Sequence, residues 1–194
     1  QLCMENRMLS TIKSIAVITG LSLGLAGCLM VHTVKQELLY SPEYVNYAST
    51  DGILPLEISG NPLGKSQLAG QKLMDALQIP NWISAQNLRQ LPPDERGQGH
   101  RLVMVFNPSN ILTDGDTLCA DPAPKTNKPG SHMKIIAALC HGSRNVTRAT
   151  AEGDVTASLQ DPLFIQLLNY LMTEIMPIKN SDHDTTDCQA SPCG

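Results

Sequence analysis

The sequence predicts an α+β fold, a two-layer sandwich in which a three- or four-stranded sheet carries two helices on one face. Three observations lead there. Arg101–Phe106 and His132–Cys140 are apolar on both faces, as strands in the middle of a sheet are. Gln67–Gln78 and Phe164–Ile175 repeat apolar residues at helical spacing. The resulting order, β-α-β-β-(β)-α, lays two amphipathic helices over a single sheet.

Taken in order, Asp51-Gly52 is a turn signal, and Ile53–Ser59 alternates with Leu54, Leu56 and Ile58 on one side. Pro55 points to an edge strand or to the first residues of a strand, because it lacks an N–H for the ladder. Gly60-Asn61-Pro62 turns the chain, Ser66 is placed to cap the helix Gln67–Gln78, and Pro80 ends it. Its apolar stripe is Ala69, Leu73, Ala76 and Leu77. Residues 79–99 are polar and read as a loop with a helical turn near Ala85–Leu91. Asn107-Pro108 stops the strand Arg101–Phe106. Ser109–Ser131 carries three prolines, two glycines and three aspartates, and is the longest expected loop. After His132–Cys140 the turn His141-Gly142-Ser143 leads to a short fourth strand over Val146–Thr150. Asp161-Pro162 has the cap and first-turn residues of a helix start. Phe164, Leu167, Leu168, Leu171, Met172 and Ile175 give that helix one broad buried face, and Pro177 ends it.

The N-terminal stretch carries the sharpest signal. Arg7 and Lys13 precede an apolar run, Ile15–Gly24, which closes on Leu25-Ala26-Gly27-Cys28, the layout of an export signal. Met4 and Met8 each open a workable signal. From Ile15 to Met30 the run is shorter than the ~20 residues a bilayer core needs. It also holds four glycines and serines. Leu25-Ala26-Gly27-Cys28 resembles the lipobox of bacterial lipoproteins at all four positions. The resemblance implies cleavage between Gly27 and Cys28, diacylglycerol on the Cys28 sulfur and an N-acyl chain on its amine. Several acyl chains anchor stably where one binds reversibly, since each buried methylene contributes about 0.8 kcal/mol. In that family an aspartate after the cysteine often retains the protein at the inner membrane. Leu29 therefore implies the outer membrane, facing the periplasm. The landmarks Gly60-Asn61-Pro62, Val105-Phe106-Asn107, Leu118-Cys119 and Ala137-Ala138-Leu139-Cys140-His141-Gly142 are similar to those of uncharacterised bacterial envelope lipoproteins, over most of Ile53–Pro177. No activity comes with that likeness.

The expected organisation is thus a removed signal (1–27), a lipidated tether (28–50), an α+β domain (51–178) and a polar tail (179–194). Cleavage takes away Arg7, Lys13 and Glu5, so 14 basic and 18 acidic groups become 12 and 17, and the net charge moves from −4 to −5. With no basic patch, two Phe and one Trp, the chain offers nucleic acid neither a charged track nor a stacking platform.

Of six cysteines, Cys3 leaves with the signal and Cys28 takes lipid. Cys119, Cys140, Cys188 and Cys193 form an even set in a chain bound for an oxidising compartment, with three connectivities open. Cys119–Cys140 and Cys188–Cys193 are favoured. Zinc held with His132 and His141 is the rival, weakened by the lack of a close C-x-x-C pair.

The catalytic motifs are incomplete. Ser59–Ser66 resembles a P-loop, but Ser59 replaces its first glycine, Pro62 deletes a cradle N–H, and Val103–Phe106 runs into Asn107 rather than an aspartate. His141-Gly142-Ser143 lacks a nucleophile elbow and a third partner. A bridge from Cys140 to Cys119 would silence the thiol beside His141. Asp182, His183, Asp184 and Asp187 read as solvated tail charges rather than a metal cluster. Asn145-Val146-Thr147 is a sequon without meaning in a bacterium. Glu57, Asp75, Asp114, Asp116 and Glu174 are acids whose separations the sequence does not give. The expectation is a non-catalytic envelope lipoprotein without a cofactor beyond its acyl chains, serving an assembly or another envelope protein. A ligand-binding module comes second and a hydrolase third.

Overall fold

A computed structural model describes residues 29–36, 40–49 and 51–180. Gly27, Cys28, Cys188, Cys193 and the tail acids with His183 lie outside the described residues. The strands are β1 (Leu29–Gln36), β2 (Ile53–Ser59), β3 (Asn87–Gln90), β4 (His100–Phe106), β5 (Met133–His141) and β6 (Arg144–Gly153). The helices are α1 (Pro42–Ala48), α2 (Gln67–Ala76), α3 (Gly115–Ala120) and α4 (Pro162–Ile175), with a 3₁₀ turn at Pro93–Glu95. All six strands form one mixed sheet in the order β1-β6-β5-β4-β2-β3.

The α+β class therefore stands, with six strands in place of three or four. The additions are β1 and β3. Residues 29–50, expected as a tether, instead hold β1, antiparallel to β6 from Leu29↔Gly153 to Gln36↔Thr147, and then α1. Leu29 and Val31 pack against the core while Met30 and His32 face out. That is the alternation of a half-buried strand. The helical turn expected near Ala85–Leu91 is the strand β3, parallel to β2. With so little strand propensity in Asn-Leu-Arg-Gln, it is β2 that imposes the conformation. Pro55 lies among the first residues of its strand, the second of the two readings, rather than on an edge strand. It is the third residue of an interior strand, and pairing of β2 with β4 begins one residue later, at Leu56↔Leu102. β6 runs the full 10 residues Arg144–Gly153, not only Val146–Thr150.

Alternation along the central strands makes two cores. On the first face Leu102, Met104 and Phe106 of β4 meet Ile135, Ala137 and Leu139 of β5 beneath α4, whose Phe164, Leu167, Leu168, Leu171, Met172 and Ile175 are all buried. Leu73 of α2 and Val45 of α1 complete that layer. Asp161 caps α4 by accepting from the Leu163 N–H, and Ser66 caps α2 by accepting from Ala69. The second face is covered too, which a strict two-layer sandwich does not provide. Val103, Val105, Ile136 and Ala138 pack under Leu118 and Cys119 of α3, a helix inside the expected loop 109–131. Gly115 lets α3 come close, because a Cβ there would run into the Asn145 side chain.

The sheet has two ends. At the proximal end lie the starts of β1 and β5 and the ends of β2, β4 and β6, with Gly60 following β2, Asn107 following β4 and Ser131 preceding β5. Gly60 adopts φ +67°, and a Cβ on it would strike the Phe106 carbonyl and Thr126. Asn107 adopts φ +48° and ties β5 in place, its Oδ1 accepting from the Lys134 N–H. At the distal end His100, His141 and Arg144 lie side by side in register.

Candidate functional site

Chemistry-bearing side chains gather on the second face near the distal end. Arg101 of β4 shares that face with Val103 and Val105, directly across from Cys140 in register. Its guanidinium is fully buried. Nε donates to Glu57 Oε1 at 2.5 Å, Nη2 to the Cys119 carbonyl at 2.5 Å, and Nη1 to the carbonyls of Gly142 at 2.8 Å and Gly99 at 3.3 Å. The same Glu57 oxygen accepts from the Gly97 N–H at 2.6 Å. Cys119 and Cys140 are joined by a disulfide with Cα atoms 5.6 Å apart. The cluster thus ties β2, β4, the 97–99 turn, the β5–β6 turn and α3 to one another. A buried charge pair is tolerable only when its remaining lone pairs and protons are bonded, and here the partners are main-chain groups. The arrangement works as a strut: Glu57 spends its oxygen on Arg101 and Gly97, and no solvent reaches the arginine.

Next to the strut lies an aromatic–imidazole stack. The His100 and His141 rings are parallel with centroids 4.2 Å apart, and Tyr44 and Tyr47 of α1 meet His100 edge-on at 5.3 and 5.8 Å. Tyr44 Oη lies 2.8 Å from His100 Nδ1. Burial, and then the charge on His141, hold His100 below the usual imidazole range, while burial raises the Tyr44 phenol. A neutral imidazole accepting the Tyr44 O–H on Nδ1 satisfies both. Ser143, in the turn after His141, is exposed, and none of the described hydrogen bonds joins it to a histidine or a carboxylate. His141, Ser143 and an acid do not assemble into a hydrolytic triad among the described residues.

The other expected candidates are dispersed. Asp114 caps α3, and the Thr117 hydroxyl and N–H hold its carboxyl below the usual range. Asp116 accepts from the Asn145 N–H at 2.7 Å, and Asp75 accepts from Gln71 on the exposed side of α2. Glu174 lies on α4. No described contact pairs two of these five acids. Ser59–Ser66 is a turn into α2, with Asn61 Oδ1 accepting from Leu63 and Ser66 from Ala69. His132 stands at the proximal end, Nδ1 2.8 Å from Asp154 and Nε2 3.2 Å from Glu152, and these carboxylates raise its pKa. With Cys119 and Cys140 bonded to each other, neither supplies a thiolate to zinc, and no metal-holding group of His, Cys, Asp and Glu occurs among the described residues.

Two concavities among the described residues bear on ligand binding. One of about 190 Å³ sits between α3 and the loops flanking it, lined by Val105, Ile136, Leu118, Thr117, Asp121 and Lys125. The other, a wider groove of about 630 Å³, runs along α2 and residues 77–88 beside the polar Gln71, Asp75, Gln78 and Asn81. No helix among the described residues is long and apolar enough to cross a membrane.

Sequence reasoning missed Arg101 as a structural centre and Tyr44 and His100 altogether. An arginine heading an otherwise apolar strand, with Gly97 and Gly99 just before it, was the one available signal. No family model matches the chain, and no curated protein matches it. Among solved structures, a PelC dodecamer from Paraburkholderia phytofirmans is similar to 77% of this chain and 98% of its own, at 14% identity and a TM-score of 0.40. A likeness at that level carries no inference about what this chain does.

Proposed function

We propose that the chain is a membrane-anchored envelope lipoprotein, held by acyl chains on Cys28 at the outer membrane, whose domain works through contact with another envelope protein rather than by turnover. The observation that carries this reading is the adjacency of the lipobox to β1. The acceptor cysteine is followed at once by an eight-residue strand on the outer edge of the sheet. β1 is paired with β6 on one side, and among the described residues no strand lies on the other. An edge of that length is a template for strand addition, with main-chain groups giving affinity and alternate side chains giving specificity. The Cys119–Cys140 bridge suits an exported protein, since such bonds persist in oxidising compartments. The most chemically suggestive groups, Arg101 and Glu57, are consumed inside the fold.

A ligand-binding role has two concavities in its favour, about 190 Å³ under α3 and about 630 Å³ along α2. The first is smaller than the ~300–1,000 Å³ usual for small-molecule sites, and the second, within that range, is an open groove beside Gln71, Asp75, Gln78 and Asn81. Purification of the full chain from detergent-solubilised membranes separates the two readings. A stoichiometric protein partner that cross-links to β1 supports the contact role. A lone monomer retaining a small molecule overturns it in favour of the second.

A further inference from the structure

We propose that the proximal end of the sheet is a bilayer-docking surface, so that the domain stands end-on with its strands running away from the membrane. This rests on acylation of Cys28 and goes beyond it by fixing orientation. The spacer that would let the domain stand off is occupied by structure. Leu29 is already paired with Gly153, and Cys28 lies one peptide, about 3.8 Å between Cα atoms, before it. Acyl chains on Cys28 therefore enter the bilayer at the start of β1.

That leaves two postures, end-on or lying along the β1 edge, and the surface chemistry separates them. Lys65, in the turn after β2, and Lys125 and Lys128, in the loop before β5, are exposed at the proximal end. None of the three enters a described ion pair. Of the acids at the same end, Glu152 and Asp154 pair with His132 and Lys134, while Asp161 caps α4 and Asp121 borders one concavity with Lys125. Three lysines outside the described ion pairs thus gather at one end of a chain whose net charge is −4. Met30 and Leu68 add exposed apolar side chains there, at 52% and 64% exposure. Lysines around an apolar contact suit the interface of a bilayer containing anionic lipid. End-on docking also leaves the outer edge of β1 upright and open.

Lys65 decides the matter, because it lies beyond β2, four strand spacings or about 19 Å from β1. Trp82, hydrogen-bonded to the Met176 carbonyl beyond the far end of α4, is a built-in distal reporter. The test uses full-length protein whose Cys28 acylation has been verified by mass. It is reconstituted in vesicles of brominated phosphatidylcholine with and without phosphatidylglycerol. The Lys65→Trp variant is expected to lose intensity from its added tryptophan, and Trp82 of the parent protein to keep its own. Lys125→Glu with Lys128→Glu is expected to weaken the quenching at position 65 in the anionic vesicles, as is added salt. An acylated protein in which position 65 is unquenched, or Trp82 is quenched equally, overturns the end-on posture and leaves the lipoprotein reading standing. Quenching indifferent to charge reversal overturns the role given to the lysines. A bare Cys28 overturns the reading beneath both.

Discussion

The two faces of the sheet bury different things. Beneath α1, α2 and α4 the described residues form a continuous core of 27 buried apolar side chains. Beneath α3 the corresponding cluster has seven, two of them the bonded cysteines. A helix of six residues covers too little apolar surface to hold itself and its loops by burial alone. On that face a covalent bond and a buried ion pair with main-chain partners stand in for the missing packing. Groups that look like active-site material, an arginine, a glutamate and two cysteines, are there because the second core is small.

The comparison breaks most readily at Arg101. Arg101→Ala strands the Glu57 carboxylate in the interior, and removing one partner of a buried pair costs about 3–5 kcal/mol. Urea denaturation should show the midpoint falling accordingly, with Arg101→Met plus Glu57→Leu recovering much of the loss. A single variant as stable as the parent would show that the pair is not a strut. On the opposite face Leu168→Ala should cost about 2–5 kcal/mol through lost burial and a cavity, and no charge-removing partner substitution should rescue it. Reducing Cys119–Cys140, which closes a loop with a sequence separation of 21, should cost about 3 kcal/mol. The sharper readout is local. Amide exchange should accelerate in α3 and in 109–131 while α4 keeps its protection, and uniform acceleration would contradict the division into two cores.

The smallest effects are electrostatic and have opposite signs at the two ends. His132 has a raised pKa, through Asp154 first and Glu152 second. Its contribution is complete below the unfolded value of about 6.5 and is lost as pH rises through the folded one. The pair is exposed, so the gain is screened and small. His100 has a lowered pKa, so its contribution is complete above about 6.5 and is lost as pH falls through the folded value. Imidazole titration followed by NMR should place the two on opposite sides of the free value. Shifts of the same sign would contradict the assigned environments.

Much of the first face was legible in the sequence. Asp161-Pro162 and the stripe from Phe164 to Ile175 specify α4 by local rules, and β4 and β5 announce themselves as apolar runs. What was hidden depended on partners far along the chain. Leu-Met-Val-His-Thr-Val-Lys-Gln becomes β1 because β6, more than a hundred residues later, offers an edge. Asn-Leu-Arg-Gln becomes β3 because β2 does. Gly-Asp-Thr-Leu-Cys-Ala is too short for helical periodicity to register. Cys119–Cys140 could be favoured among three connectivities because it staples a loop to a strand. The Arg101–Glu57 pair could not be chosen at all, since nothing local links position 57 to position 101.

The proposed anchoring rests on Cys28. The direct measurement is the intact mass of the protein extracted from membranes. A chain beginning at Cys28 and carrying a diacylglycerol and an amide-linked acyl group is the expected result. An unmodified Cys28 thiol, or an N-terminus upstream of it, would contradict the account.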